Sequence, residues 1–226
     1  MLVITHRMSA LARAALVCAL ASPTLLGAQA PSGVTRNQLV ANDRVTVMRL
    51  TEAAGLTEEM HITPQDVVAI QTGPGQIEMQ IGKEVTKGTP GRVWYLPKTI
   101  EHALFNRGTQ PVDMLVVMLS NNAPSAAASS TRPQDAAEAK PTSQLIDNDR
   151  VRVMKVPAPV GMKQEMHKSA EDLIAIQSTS GQIEVAVGSE RTRGEPWKVW
   201  YLPRTLDHAV SNPGTTPVEM LVIALK

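Results

Sequence analysis

The 226-residue sequence has little cysteine, few aromatic residues and almost no net charge. Its single cysteine, Cys18, lies in a short apolar run near the N-terminus, so no disulfide and no thiol chemistry are expected in the rest of the chain. The formal net charge is +1, and the sequence has no block or stripe of Lys and Arg. Nucleic acid is therefore not an expected partner, because its binding depends on clustered basic side chains.

Residues 1–30 have the pattern of a signal peptide. Arg7 and Arg13 provide positive charge ahead of a short apolar run at 14–21. The small residues of Ala-Gln-Ala at 28–30 suit cleavage by a signal peptidase. The apolar run is too short to span a bilayer. We therefore expect an exported protein, periplasmic or secreted, with no membrane partner once the leader is removed.

The chain contains two copies of one sequence repeat. Residues 39–120 align with residues 145–226 without a gap, and roughly half of the paired positions are identical. The stretch between the copies, residues 121–144, is rich in Ala, Ser and Pro and has too few apolar residues to form a core. We expect two similar domains, at 39–120 and 145–226, joined by a flexible linker.

Apolar residues alternate with polar ones over short runs in each copy. In the first copy such runs cover residues 44–50, 77–81 and 112–119, with Gly and Pro between them. A period of two is typical of strands with one buried face, and no long run has the period of an amphipathic helix. The pattern predicts an all-β fold in which each copy forms its own closed barrel or sandwich.

One phrase built around a histidine occurs in both copies, as WYLPKTIEHALFN at 94–106 and WYLPRTLDHAVSN at 200–212. Its spacing resembles the second motif of the cupin superfamily, and a glycine and a histidine separated by five residues resemble the first motif. The matching residues are Gly91, Pro97, His102, Asn106, Gly55 and His61 in the first copy and Pro203, His208, Asn212, Gly161 and His167 in the second. The chain thus resembles a tandem two-barrel cupin, or bicupin. It is also loosely similar to small cupins of the β-alanine degradation protein type.

The resemblance implies a double-stranded β-helix, or jelly roll, for each copy, with a pocket at one end. In metal-bearing cupins this pocket holds Fe, Mn, Zn, Ni or Cu on two histidines of the first motif, a glutamate, and the histidine of the second motif. This chain departs from that pattern at two positions in each copy. Thr63 and Ser169 replace the second histidine, and the carboxylate nearest to the glutamate position is Asp66 or Asp172.

Two histidines and one carboxylate can still form a metal site. Because alternate residues of a strand share a face, Glu59 should point the same way as His61, and Asp66 is the other candidate carboxylate. The candidate ligands for one divalent ion (Fe, Mn or Zn) per barrel are His61, His102, Glu59 and Asp66 in the first copy and His167, His208, Glu165 and Asp172 in the second. The alternative is that no metal binds and the histidines satisfy hydrogen bonds within the pocket.

The residues expected to line the pocket beside the ligands are Thr63, Ser169, Tyr95 and Tyr201. Neighbouring strand residues face opposite ways, so one ring of each Trp-Tyr pair should line the barrel. The other ring should face outward, where it can pack between the barrels or against another subunit.

The sequence supports two functions. The first is an exported module that binds a small molecule, with or without a divalent metal. The second is a metal-dependent cupin enzyme (a dioxygenase, decarboxylase or isomerase) in which Glu59 or Asp66 serves as ligand or proton carrier. The incomplete ligand set favours the first, and the placement of every histidine outside the leader at a motif position favours the second. Because many cupins form dimers, a homo-oligomer is a further expectation.

Overall fold

The computed structural model describes residues 33–121 and 143–226. The expected signal peptide at 1–30 lies outside this part of the chain, and so does nearly all of the expected linker at 121–144. The described residues form sixteen β-strands and no helix, which confirms the all-β prediction. Accordingly, they include no helix that is long and apolar enough to cross a membrane.

The first copy forms eight antiparallel strands in two sheets. The strands are β1 (Val34–Ala41), β2 (Val45–Glu52), β3 (Val67–Gln71), β4 (Ile77–Ile81), β5 (Glu84–Lys87), β6 (Val93–Leu96), β7 (His102–Asn106) and β8 (Val112–Leu119). The larger sheet has the order β1-β2-β8-β3-β6, and the smaller has the order β5-β4-β7. Isolated bridges from Thr57 to Phe105 and from His61 to His102 place the segment at 57–61 along the free edge of β7.

The second copy repeats this arrangement. Its strands are β9 (Ser143–Asp147), β10 (Val151–Ala158), β11 (Asp172–Gln177), β12 (Glu184–Val187), β13 (Glu190–Arg193), β14 (Val199–Leu202), β15 (His208–Ser211) and β16 (Val218–Leu225). The sheets have the orders β14-β11-β16-β10-β9 and β13-β12-β15. Strands β1 and β9 begin upstream of residues 39 and 145, so each barrel includes residues that precede the detectable repeat.

Alternate residues of the long strands face opposite sides of the sheet, and this alternation determines which side chains point into the barrel. β2 pairs with β8 along its whole length, from Val45 opposite Leu119 to Glu52 opposite Val112. Val45 belongs to the core that lies between the barrels, whereas Leu50 packs against the core inside the first barrel. Glu52 is two residues beyond Leu50 and therefore shares its inward face.

Three buried clusters form the apolar core, one inside each barrel and one between them. The interior of the first barrel is filled by Val67, Ala69, Ile77, Met79, Trp94, Leu96, Leu104, Val112 and Met114. The interior of the second is filled by Ala158, Ala175, Ile183, Val185, Trp200, Leu202, Val218 and Met220. The third cluster joins valine, leucine and isoleucine side chains of both large sheets, so the two sheets pack face to face.

Two ion pairs related by the repeat also connect the barrels. Arg44 Nε lies 3.3 Å from Asp172 Oδ2, and Arg150 Nε lies 3.5 Å from Asp66 Oδ2. Arg44 and Arg150 occupy equivalent repeat positions, and so do the two aspartates. Reciprocal contacts of this kind define an approximate twofold relation between the barrels, as in a symmetric dimer.

One residue of the second barrel has an unusual backbone conformation. Trp197 has a φ of 66°, and the equivalent residue of the first barrel is Gly91, with a φ of 86°. A positive φ at a bulky residue costs about 1–3 kcal/mol. The cost is offset by the contact of the Trp197 ring with the core between the barrels and by a hydrogen bond of 3.1 Å from Arg49 Nη2 to the Trp197 carbonyl.

Candidate functional site

The two motif histidines of each barrel lie side by side. The ring centroids of His61 and His102 are 4.6 Å apart, and those of His167 and His208 are 4.7 Å apart. Backbone hydrogen bonds between the partners hold each pair, at 3.0 and 2.9 Å in the first barrel. His61 is exposed, whereas His102 is 4% exposed. We call the barrel end formed by residues 57–63 and His102 the first cup, and its equivalent at 163–169 and His208 the second cup.

Backbone carbonyls fix the tautomers of the histidines in the first cup. His61 Nδ1 lies 2.8 Å from the carbonyl oxygen of Glu59, and His102 Nδ1 lies 3.2 Å from that of Ile100. A carbonyl oxygen can only accept, so the proton of each neutral ring is on Nδ1 and the lone pair is on Nε2. The same kind of tether orients histidines that bind metals.

Burial keeps the inner ring of the first cup neutral. Desolvation lowers the pKa of His102, and a positive charge on His61 acts in the same direction, while the hydrogen bond to the Ile100 carbonyl opposes them. Because the ordinary pKa of histidine is already below 7, His102 carries a lone pair on Nε2 at neutral pH. No described residue donates a hydrogen bond to that atom.

The second cup has the same tethers but a different partner for its inner ring. His167 Nδ1 lies 2.9 Å from the carbonyl oxygen of Glu165, and His208 Nδ1 lies 3.4 Å from that of Leu206. Ser169 Oγ lies 3.1 Å from Nε2 of His208, and both residues are buried. Because Nε2 of His208 is the acceptor in this tautomer, the serine hydroxyl donates to it.

Thr63 occupies the position equivalent to Ser169 but makes another contact. Its hydroxyl donates to the carbonyl oxygen of Gln65 at 2.7 Å. The two hydroxyl residues that replace a family histidine therefore behave differently: one is bonded to the local backbone and the other to the inner imidazole.

The predicted carboxylates do not join the histidines. Glu59 and Glu165 are exposed, and only their backbone carbonyls contact the imidazoles. Across residues 33–121 and 143–226, no three His, Cys, Asp or Glu side chains are grouped closely enough to hold a metal ion. The expected set of two histidines and one carboxylate is therefore not assembled in either barrel.

Asp66 and Asp172, which the sequence suggested as candidate ligands, belong to the contact between the barrels. Asp66 Oδ1 accepts a hydrogen bond from the Lys98 backbone at 2.9 Å, and Oδ2 faces Arg150. Asp172 accepts from the backbone of Arg204 at 2.8 Å in the same way. The reason is the strand period, since Asp66 shares the face of β3 whose apolar residues pack between the barrels.

Tyr95 and Tyr201, which the sequence suggested as pocket-lining residues, also belong to the contact between the barrels. Both rings pack against the core between the barrels, and each hydroxyl interacts electrostatically with an aspartate of the cross-barrel ion pairs. Burial and the Asp66 charge raise the pKa of Tyr95 to about 12. The neighbouring Trp94 fills the barrel interior, and its Nε1 donates to Thr86 Oγ1 at 2.7 Å.

A buried acid that the sequence analysis did not single out lies inside the first barrel. Glu52 is 1% exposed, and its Oε2 has no hydrogen-bond partner. Desolvation, followed by the charge of Glu58, raises the pKa of Glu52 from its ordinary 4.5 to about 7, against the opposing charge of Arg36. Burial also raises the pKa of Glu58, and the charges of His61 and Arg36 oppose this shift. One signal was available in the sequence: the repeat has Ala158 where the first copy has Glu52.

Exposed apolar side chains lie close in sequence to the histidines of the first cup, and we call these residues the apolar rim. Met60, Ile62 and Ile100 are 40%, 53% and 40% exposed, and they flank the two histidines in the chain. The barrel interior beneath is filled by the apolar cluster that includes Trp94 and Leu104.

No protein-family model and no curated protein matches the sequence. Solved structures match it over most of its length. AerE from Microcystis aeruginosa superposes with a TM-score of 0.68 at 14% identity, covering 88% of this chain and 95% of that one. A cupin 2 conserved barrel domain protein from Leptotrichia buccalis gives 0.62 at 14%, covering 89% and 93%. A salicylate 1,2-dioxygenase from Pseudaminobacter salicylatoxidans gives 0.66 at 9%, covering 84% and 75%. Likeness at these identities is a likeness of fold.

Proposed function

We propose that this chain, which has the cupin fold in its tandem two-barrel form, is an exported binding protein that holds a small molecule at the His61–His102 pair. The observation that carries the proposal is the pair of Nδ1 tethers, which leave a lone pair on Nε2 of both rings. Two such nitrogens beside each other can accept hydrogen bonds from a ligand or coordinate a metal ion.

The full metal site of the cupin family does not fit this chain. Two of the four family positions lack a ligand in each barrel, because a hydroxyl residue replaces one histidine and the carboxylates lie elsewhere. The two imidazoles of the first cup fit two positions of an Fe, Mn or Zn ion. We propose that such an ion, where it binds, has its remaining positions filled by water or by the small molecule, and we assign no catalytic step to it.

The rim of the first cup indicates what kind of small molecule fits. Three exposed apolar side chains, Met60, Ile62 and Ile100, provide a surface for an apolar body. The imidazoles provide two polar anchors next to it. The ligand class that matches is an amphipathic small molecule with oxygen or nitrogen donors at one end.

The enzymatic alternative has less support from the geometry. A dioxygenase, decarboxylase or isomerase of the proposed kind needs a carboxylate beside the metal, either as ligand or as proton carrier. Glu59 is exposed and Asp66 is bonded to the other barrel. Binding without catalysis is therefore the function that we propose.

We also propose that the protein is exported and that it self-associates. Export depends on the signal-peptide pattern of residues 1–30, and N-terminal sequencing of the mature protein tests it directly. Self-association would have to use surfaces other than the large-sheet faces, because these faces are buried between the two barrels.

Zinc alone is the simplest probe of the first cup. Protein without a polyhistidine tag is unfolded by heat with and without Zn²⁺, alongside His61→Ala and the matched control His167→Ala. At a hundredfold excess over Kd, binding to the folded form contributes about 2.7 kcal/mol, or roughly 5–10 °C in Tm for a chain of this size. We expect this shift in the wild type and in His167→Ala, and its loss in His61→Ala. An equal shift in all three proteins, or none in the wild type, would rule out zinc coordination at this pair.

A further inference from the structure

The two cups have the same backbone but differ at the buried hydroxyl beside the inner histidine. In the second cup, Ser169 is 5% exposed, His208 is 2% exposed, and their Oγ and Nε2 atoms are 3.1 Å apart. In the first cup, the equivalent Thr63 donates its proton to a backbone carbonyl at 2.7 Å. Nε2 of the inner imidazole is thus hydrogen-bonded by a hydroxyl of its own barrel in the second cup, whereas in the first cup the equivalent hydroxyl bonds the backbone.

This hydrogen bond uses the atom that a ligand needs. The tether to the Leu206 carbonyl places the ring proton of His208 on Nδ1, so Nε2 holds the lone pair. The Ser169 hydroxyl donates to that lone pair, and a metal ion or a ligand proton would have to displace it. Because both residues are buried, displacing the hydroxyl would break a hydrogen bond that is shielded from water, which is unfavourable.

Three charge differences at the cups act in the same direction, and one of them is Lys163 of the second cup at the position of Thr57. Glu58, whose carboxyl is electrostatically coupled to His61, has Gln164 as its equivalent in the second barrel. The exposed Ile62 of the first rim has Lys168 as its equivalent, next to His167. The first cup therefore has an additional acid and the second has two additional bases, so a cation is favoured at the first and disfavoured at the second.

We propose that the hydrogen bond from Ser169 to Nε2 of His208 prevents ligand binding at the second cup. The chain then binds one ligand, in the first barrel, rather than two. The inference rests on the proposed function of the His61–His102 pair and specifies which copy performs it. Ser169 is a specificity-determining residue: it acts on the inner histidine of its own barrel and leaves the other barrel unaffected. The second barrel then serves mainly as the packing partner of the first.

Counting bound zinc in the full-length protein tests the proposal. Zn²⁺ is titrated by calorimetry into the wild type, Ser169→Ala, Ser169→Ala with His167→Ala, and the matched control Thr63→Ala. We expect one equivalent in the wild type and in Thr63→Ala, two in Ser169→Ala, and one again when His167 is also removed. Adding Lys168→Ile to Ser169→Ala is expected to tighten the second site.

The outcomes separate this proposal from the proposed function. Two equivalents in the wild type, one of them lost in His167→Ala, would overturn the role of Ser169 and leave the first cup intact as a site. No zinc in the wild type, but one His167-dependent equivalent in Ser169→Ala, would support the role of Ser169 and overturn binding at the first cup. No zinc in either protein would overturn metal coordination at the first cup and the closing role of Ser169. Long-range ¹H–¹⁵N spectra of the imidazoles provide a second measurement: Ser169→Ala should shift Nε2 of His208 and leave His102 unchanged, and unchanged His208 signals would show that the hydrogen bond does not exist.

Discussion

Replacement of Glu52 by glutamine should change how the stability of the protein depends on pH. Glu52 is 1% exposed, its Oε2 has no partner, and its pKa is raised from 4.5 to about 7, mainly by desolvation. A carboxyl whose folded-state pKa is raised binds its proton more tightly in the folded chain. Its contribution to stability is therefore present at pH below 4.5 and is lost as the pH rises towards and through 7.

The size of the effect follows from the two pKa values. One unit of pKa shift corresponds to about 1.4 kcal/mol, and the shift from 4.5 to about 7 makes ionised Glu52 destabilising by about 3 kcal/mol well above pH 7. Between pH 5 and pH 8 the change is about 2.5 kcal/mol. Glutamine cannot ionise, so Glu52→Gln should be more favourable relative to the wild type at pH 8 than at pH 5 by this amount.

Denaturant unfolding of both proteins at pH 5 and pH 8 measures this difference directly. Any packing cost of glutamine is present at both pH values and cancels, because only the change between them is compared. The exposed Glu84, in β5, provides the control: Glu84→Gln should leave the pH dependence of the wild type unchanged. A Glu52→Gln variant whose stability relative to the wild type is the same at pH 5 and pH 8, within about 0.5 kcal/mol, would refute a buried, proton-binding Glu52.

Two further predictions concern packing. Arg44→Ala should destabilise the protein by about 3–5 kcal/mol, because it leaves Asp172 buried without its ion-pair partner. Arg150→Ala should cost less, because that arginine side chain is 25% exposed. Equal losses of unfolding free energy in the two variants would contradict this. Gly88→Ala should destabilise the protein by about 1–3 kcal/mol, because an added Cβ would lie 2.1 Å from Oε1 of the fully buried Gln71. A denaturation midpoint equal to that of the wild type would argue against this close contact.

The barrels and the histidine pairs could be predicted because they depend on regular features of the sequence. Alternating apolar residues give strands such as β2 and β8, and the duplicated motif spacing places the two histidines of each copy at one end of a barrel. Such local patterns do not depend on contacts with the other barrel. The fold and the adjacency of His61 and His102 were therefore accessible from the sequence alone.

The carboxylates could not be placed in the same way, because β3 is buried on both faces. Residues Val67–Gln71 are all buried, one face inside the barrel and the other between the barrels. A continuous apolar run does not show which face looks inward. The alternation therefore gave no reason to assign Asp66 to the cross-barrel contact, and the same ambiguity applied to Tyr95.

The hydrogen bond of the Ser169 hydroxyl depends on the orientation of its side chain, which a sequence pattern does not specify. Thr63 and Ser169 look equivalent in the repeat, yet one is bonded to a backbone carbonyl and the other to an imidazole. Glu52 could have been noticed as a polar residue at an inward position whose repeat partner is Ala158. Such differences between copies show where two domains with one fold diverge in chemistry.

The most direct test of the central claim is an imidazole ¹⁵N spectrum of the full-length protein recorded during titration with Zn²⁺. We expect the Nε2 signals of His61 and His102 to shift together and saturate at one equivalent, while those of His167 and His208 stay in place. Nε2 signals of His61 and His102 that do not move, in a protein whose Nδ1 protons are observed on both rings, would contradict it.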